Sequence, residues 1–161
     1  MAEEKYIVFS LDNQKYGIKL SGINGIEQNY EIIRVPKGGQ FIKGIVHLRS
    51  EIIPVYDLKK KFDIETGITK KDSQLIVVDV DGIKIGFEAD AIIGIIPVDK
   101  DDIKDVPPVI LNEDTEYLEN IVKVNYADNK KCEIMISIDV NGLISDSDMA
   151  AIRQTIEEAA E

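Results

Sequence analysis

Few residues in this chain are of a type and spacing that could do chemistry. His47 is the single histidine and Cys132 the single cysteine, so no Cys/His cluster with zinc-ligand spacing exists and no internal disulfide can form. No nucleophile–histidine–carboxylate triad assembles from motifs either. Cys132 lies between Lys131 and Glu133, where the basic neighbour could slightly favour the thiolate; a free structural thiol is the expectation. Val77-Val78-Asp79-Val80-Asp81-Gly82, with Glu88 beyond, approaches a calcium loop. It fails at the first ligand, since Val77 has no side-chain oxygen, and its flanks alternate as strands, so a hairpin turn is expected. Asp99, Asp101, Asp102 and Asp105 read as a solvated acidic loop. Gly17, Gly22 and Gly25 lack dinucleotide-fingerprint and P-loop spacing. Asp57 and Asp139 follow matching strands and suit capping of the next turn better than acid–base work. The expectation is therefore no catalysis, no metal and no cofactor.

The net charge of −11, from 19 Lys+Arg against 30 Asp+Glu, repels phosphate backbones and anionic lipid. Nucleic acid is not an expected partner. No apolar run approaches the ~20 residues of a membrane span and the start of the chain is acidic, so a reduced cytoplasm without direct membrane insertion is expected. With 161 residues, 44% of them hydrophobic, the chain is the size of one domain and can bury a real core.

What must position the remaining candidates is a duplicated set of strands. At an offset of 69 residues Ile7-Val8 falls on Ile76-Val77, Asp12 on Asp81, Lys15 on Lys84, Gly17 on Gly86, Ile23 on Ile92, Gly25 on Gly94 and Ile26 on Ile95. A second block follows at a larger offset: Phe41 to Val46 matches Tyr117 to Val122, and Glu51 to Leu58 matches Glu133 to Val140. The approximate copies are 5–65 and 73–144, with the join at Thr66 to Asp72. Short runs rich in Ile, Val, Tyr and Phe, punctuated by Gly, Asn and Asp, predict strands at Lys5–Leu11, Lys15–Leu20, Glu31–Val35, Gly44–Arg49, Ile52–Tyr56, Gln74–Val80 and Ile83–Glu88. About five strands per copy suggest two small barrels or curled sheets. Met149, Ile152 and Ile156 recur at helical spacing behind Ser147, predicting a capped helix over 147–160.

A two-residue turn at Ser50-Glu51 would set Arg49 opposite Ile52, Leu48 opposite Ile53 and Val46 opposite Val55. Val46, Leu48, Ile53 and Val55 then share one face. The other carries Ile45, His47, Arg49, Ile52, Pro54 and Tyr56, too apolar for water alone. Ile45 and Tyr56 are expected to pack against the second barrel. Arg49, at the tip, is a candidate for partner contact, because Arg is enriched in binding hot spots.

The hairpin Phe41-Ile42-Lys43-Gly44-Ile45-Val46-His47-Leu48-Arg49-Ser50-Glu51-Ile52-Ile53-Pro54-Val55-Tyr56-Asp57-Leu58 resembles the signature hairpin of the CheW chemotaxis coupling proteins. Lys5 to Phe9, Tyr16-Gly17-Ile18, Gly82 to Gly86, and Ile134 to Val140 before a terminal helix resemble the same family, over nearly the whole chain. The resemblance implies a mostly β protein of two SH3-like five-stranded barrels about a pseudo-twofold axis, with short connecting helices and a C-terminal helix. It implies a non-enzymatic adaptor whose partners are the signalling tip of methyl-accepting chemoreceptors and the regulatory domain of the histidine kinase CheA. Ile23 and Arg49 match family positions linked to coupling, and the candidate partner contacts are Ile23, Gly25, Ile26, Glu27, Arg49 and Ser50. Two departures stand out. The family turn Asn-Leu-Arg-Gly reads His47-Leu48-Arg49-Ser50, and an acidic position between aliphatics is Gly25, with Glu27 just beyond. An adaptor of a non-chemotactic kinase pathway, or a ligand- or calcium-sensing barrel, are the competing readings.

Overall fold

Short β-branched runs and tight polar turns make the chain a string of hairpins. The computed structural model describes residues 3–34, 41–64, 73–110, 117–125 and 132–160; the expected join at Thr66 to Asp72 lies outside them. Among the described residues the chain runs β1 (Glu3–Leu11), β2 (Gln14–Lys19), β3 (Ile23–Glu27), β4 (Ile42–Leu48), β5 (Glu51–Tyr56), α1 (Leu58–Lys61), β6 (Gln74–Val80), β7 (Ile83–Ala89), β8 (Ala91–Asp99), β9 (Ile103–Asp105), β10 (Leu118–Asn125), β11 (Cys132–Ile138), α2 (Val140–Leu143) and α3 (Asp146–Ala160). The protein is mostly β, in two sheets ordered β8-β1-β2-β11-β10-β9 and β3-β6-β7-β5-β4.

The matching sequence segments occupy matching strands in the same register. Ile7 pairs with Ile18 across β1–β2, and Ile76 pairs with Phe87 across β6–β7. Both turns, Asp12-Asn13 and Asp81-Gly82, have positive φ at their two central residues, as the right-handed strand twist requires. Asp79 Oδ1 accepts the Gly82 N–H at 2.9 Å, so the calcium-like sequence closes a hairpin. The copies and the compact units do not coincide, however. β3 of the first copy pairs with β6 of the second, while β8 of the second pairs with β1 of the first. One unit comprises Met1–Gly22 with Ala91–Leu143, the other Ile23–Asp90 with Ile144–Glu161. Each draws its first hairpin from one copy and its other strands from the other.

Two sequence expectations need correction. Glu31–Val35 does not form a strand over its described residues 31–34; only Ile33 bridges, to Ile45. The chain there crosses tightly over Gly44, whose added Cβ would lie 2.4 Å from the Ile33 carbonyl oxygen. It thus meets the sheet at one point, with Ile33 itself half exposed. The helix cap is Ser145, not Ser147: the Ser145 hydroxyl accepts the Asp148 N–H at 3.1 Å and Asp148 Oδ2 accepts the Ser145 N–H at 3.4 Å. This reciprocal pair is the capping-box arrangement, which satisfies two otherwise orphaned donors. The first sheet also gains β9, a three-residue edge strand on β10, beyond the five strands expected.

Among the described residues each unit holds an apolar cluster, and β1 and β6 are buried on both faces. Tyr6, Val8, Val98, Val122, Val124 and Met135 fill the first; Val46, Ile53, Val55, Leu75 and Val77 fill part of the second, with Tyr30, Ile32 and Leu48 packed against them. Burying each such side chain stabilises by ~1.5–3 kcal/mol relative to exposure. Beside the second core, the Tyr30 hydroxyl donates to Glu88 Oε2 at 2.6 Å and Lys43 Nζ donates to Glu88 Oε1. Burial, and then the bond to Glu88, raise the Tyr30 phenol above its ordinary 10.0. Burial raises Tyr6 and Tyr16 likewise. Because the folded value lies above the unfolded one, the unfolded chain loses these protons first; the stabilisation is whole below the unfolded value and disappears as pH rises through the folded one. Denaturant midpoints are expected to fall above about pH 10, with a shallower fall in Tyr30→Phe. An equal slope in that variant would remove Tyr30 from the account.

Candidate functional site

The tip of the β4–β5 hairpin is built by its turn. Leu48 pairs with Glu51 and Val46 with Ile53, so the two-residue turn is Arg49-Ser50 and not Ser50-Glu51. Arg49 and Ser50 have φ of 48° and 69°, the pair of positive values that this turn type needs. The expected face is unchanged: Val46, Ile53 and Val55 are buried and Leu48 partly so. Sliding the turn by one residue along both strands leaves every residue on its own face, so hydrophobic pattern cannot choose between the two registers. On the opposite face Tyr56 is fully buried and Ile45 partly. His47 is exposed and sits opposite Ile52.

The turn brings Arg49 to β3, which with β4 forms the two edges of this sheet's strand order. Arg49 Nη2 lies 3.1 Å from Glu27 Oε1, with the Arg49 side chain 85% exposed and that of Glu27 24% exposed. β3 carries a bulge between Ile23 and Gly25, after which Gly25 and Glu27 fall on one side and Ile26 on the other. The acidic side chain that meets Arg49 is therefore Glu27, two residues beyond Gly25 along the same face. Such an exposed ion pair is worth at most ~1 kcal/mol to the fold; it orients the guanidinium without hiding it.

A depression of about 130 Å3 lies beside this pair, lined by Gly25, Glu27, Leu48, Arg49, Ile53 and Val77, with Asn24, Glu51 and Lys84 completing the rim. Of the six residues named from sequence, Gly25, Glu27 and Arg49 thus meet around one feature. Ser50 adjoins it in the turn. Ile23 and Ile26 lie on β3 outside the lining, Ile23 half-buried opposite Val78 and Ile26 37% exposed. The residue missed from sequence is Lys84, whose Nζ lies 2.7 Å from Glu51 Oε2 on the far rim. A signal for it was present. Lys15 matches Lys84 and Glu133 matches Glu51 in the repeat, and Lys15 pairs with Glu133, so each lysine pairs with the glutamate of the other copy.

The carboxylates Asp57, Asp139 and Asp99 accept backbone N–H groups in turns. Asp57 accepts the Lys60 N–H at the start of α1, and Asp139 accepts the Asn141 N–H before α2. Asp99 accepts the Asp101 N–H within the acidic loop. Among the described residues no group of His, Cys, Asp and Glu could hold a metal ion, and no helix is long and apolar enough to cross a membrane.

Comparison with known proteins agrees with the fold. The model of the CheW-like domain family matches residues 5–148. The chemotaxis protein CheW of Treponema pallidum is 28% identical over 147 residues, covering 89% of this chain and 83% of that protein. The one from Bacillus subtilis is 28% identical over 120 residues, covering 74% of this chain and 77% of that protein. The crystal structure of the scaffolding protein TtCheW from Thermoanaerobacter tengcongensis superposes with a TM-score of 0.77 at 34% identity, covering 91% of this chain and 96% of that one.

Proposed function

This chain belongs to the CheW-like domain family, and from that premise we propose that it is a chemotaxis adaptor, working in the cytoplasm without catalysis, that couples methyl-accepting chemoreceptors to the histidine kinase CheA. The observation that carries the partner-binding part is Arg49: it stands on a tight two-residue turn, held by Glu27 yet 85% exposed. A guanidinium fixed by a neighbour but open to solvent loses little freedom on binding and can donate in a forked geometry to a partner carboxylate or carbonyl. Glu27, Gly25 and Ser50 border it, and we assign the contact surface to β3 together with the β4–β5 tip.

The test is a pull-down of the purified chain with the receptor signalling tip and with the CheA regulatory domain, separately and together. Each pair is expected to associate, and the three to form one complex. Association with neither partner would refute the adaptor assignment.

A further inference from the structure

Gly25 occupies a place where a side chain would be free to stand. A Cβ added there meets no atom within 4 Å, and the residue is not in the left-handed region that would demand glycine. Gly25 itself lines the depression of about 130 Å3, close to the ~150 Å3 of an engineered apolar cavity that admits benzene. It is room for one side chain. Its floor is apolar, from Leu48, Ile53 and Val77, and its two rims are ion pairs, Arg49 with Glu27 and Lys84 with Glu51. The rims are oppositely polarised toward solvent. On one, Arg49 is the more exposed member, at 85% against 24%; on the other it is Glu51, at 52% against 36% for Lys84.

We propose that the absence of a side chain at Gly25 makes this depression a seat for one branched aliphatic side chain of the protein partner, with a carboxylate of the same segment toward Arg49 and a basic group toward Glu51. The apolar floor selects the knob, and the opposed rims set its direction by charge complementarity. A side chain at position 25 would fill the seat from this protein's own side, so Gly25 is a specificity-determining residue. The inference rests on the adaptor reading, which supplies the partner.

The experiment measures melting and affinities for the receptor signalling tip and the CheA regulatory domain in the parent chain, Gly25→Ala and Gly25→Leu. Gly25→Leu is expected to melt no lower than the parent and to weaken at least one complex tenfold or more, while Gly25→Ala weakens it less than threefold. Should Gly25→Leu melt lower, Gly25→Val makes the same test with a smaller group. Parent-like affinity of the folded, filled variant for both partners overturns the seat. If Arg49→Ala weakens binding in that case, the adaptor reading stands without the seat; if the parent binds neither partner, both fall.

Discussion

Tyr56→Ala is expected to destabilise the protein by ~3–5 kcal/mol, the range for deleting a buried aromatic side chain. Tyr56 is fully buried. Its ring lies 5.8 Å from that of Phe41 and meets Phe87 edge-on at 5.9 Å, so truncation opens a cavity that two other rings would have to fill. Its hydroxyl also donates to Asp148 Oδ2 at 3.1 Å, and Asp148 belongs to the capping box at the start of α3. A helix of this length depends on tertiary packing for stability, so loss of the sheet-side anchor should reduce helix content as well. Tyr56→Phe keeps the ring and removes only the hydrogen bond, at a cost of ~0.5–1.5 kcal/mol. Denaturant midpoints and circular dichroism of the two variants check this. A loss below ~1 kcal/mol in Tyr56→Ala would mean that the site collapses without penalty, contrary to the packing described.

Arg49→Ala should act on binding and leave folding almost unchanged. The side chain touches the rest of the protein through an exposed ion pair, so unfolding should shift by no more than ~0.5 kcal/mol, the usual range for surface changes. At a hot spot the same truncation should weaken the receptor or kinase complex by ~2 kcal/mol or more, roughly thirtyfold. Glu27→Gln separates orientation from charge: it frees the guanidinium without removing it, and should cost less affinity than Arg49→Ala. Unchanged affinity of Arg49→Ala for both partners would move the contact surface elsewhere on the protein.

Much of this protein is legible because its local signals agree. Asp12-Asn13 and Asp81-Gly82 can adopt positive φ and are flanked by alternating apolar residues, so the two matching hairpins and their register follow from composition. Arg49 is legible as a tip residue for the same reason. The Arg49-Ser50 turn is not, since two registers bury the same face and neither central residue is a glycine; cross-strand fit decides between them. Nor is Glu31–Val35, where an apolar run with strand-like composition is pinned at one residue by the close passage over Gly44.

The exchange of strands lies furthest from the sequence. The repeat shows that β3 and β8 are equivalent, and equivalence is what conceals their partners: each is an aliphatic edge strand that fits either first hairpin, and pairing is a choice between chemically similar ladders. Sequence by itself determined the duplication and the two matching hairpins with their turns. Only tertiary structure decided that each unit is assembled from both copies, which brings Lys84 to Glu51, and that a bulge in β3 turns Glu27 toward Arg49. Those contacts depend on where separate strands meet, which local propensity does not encode.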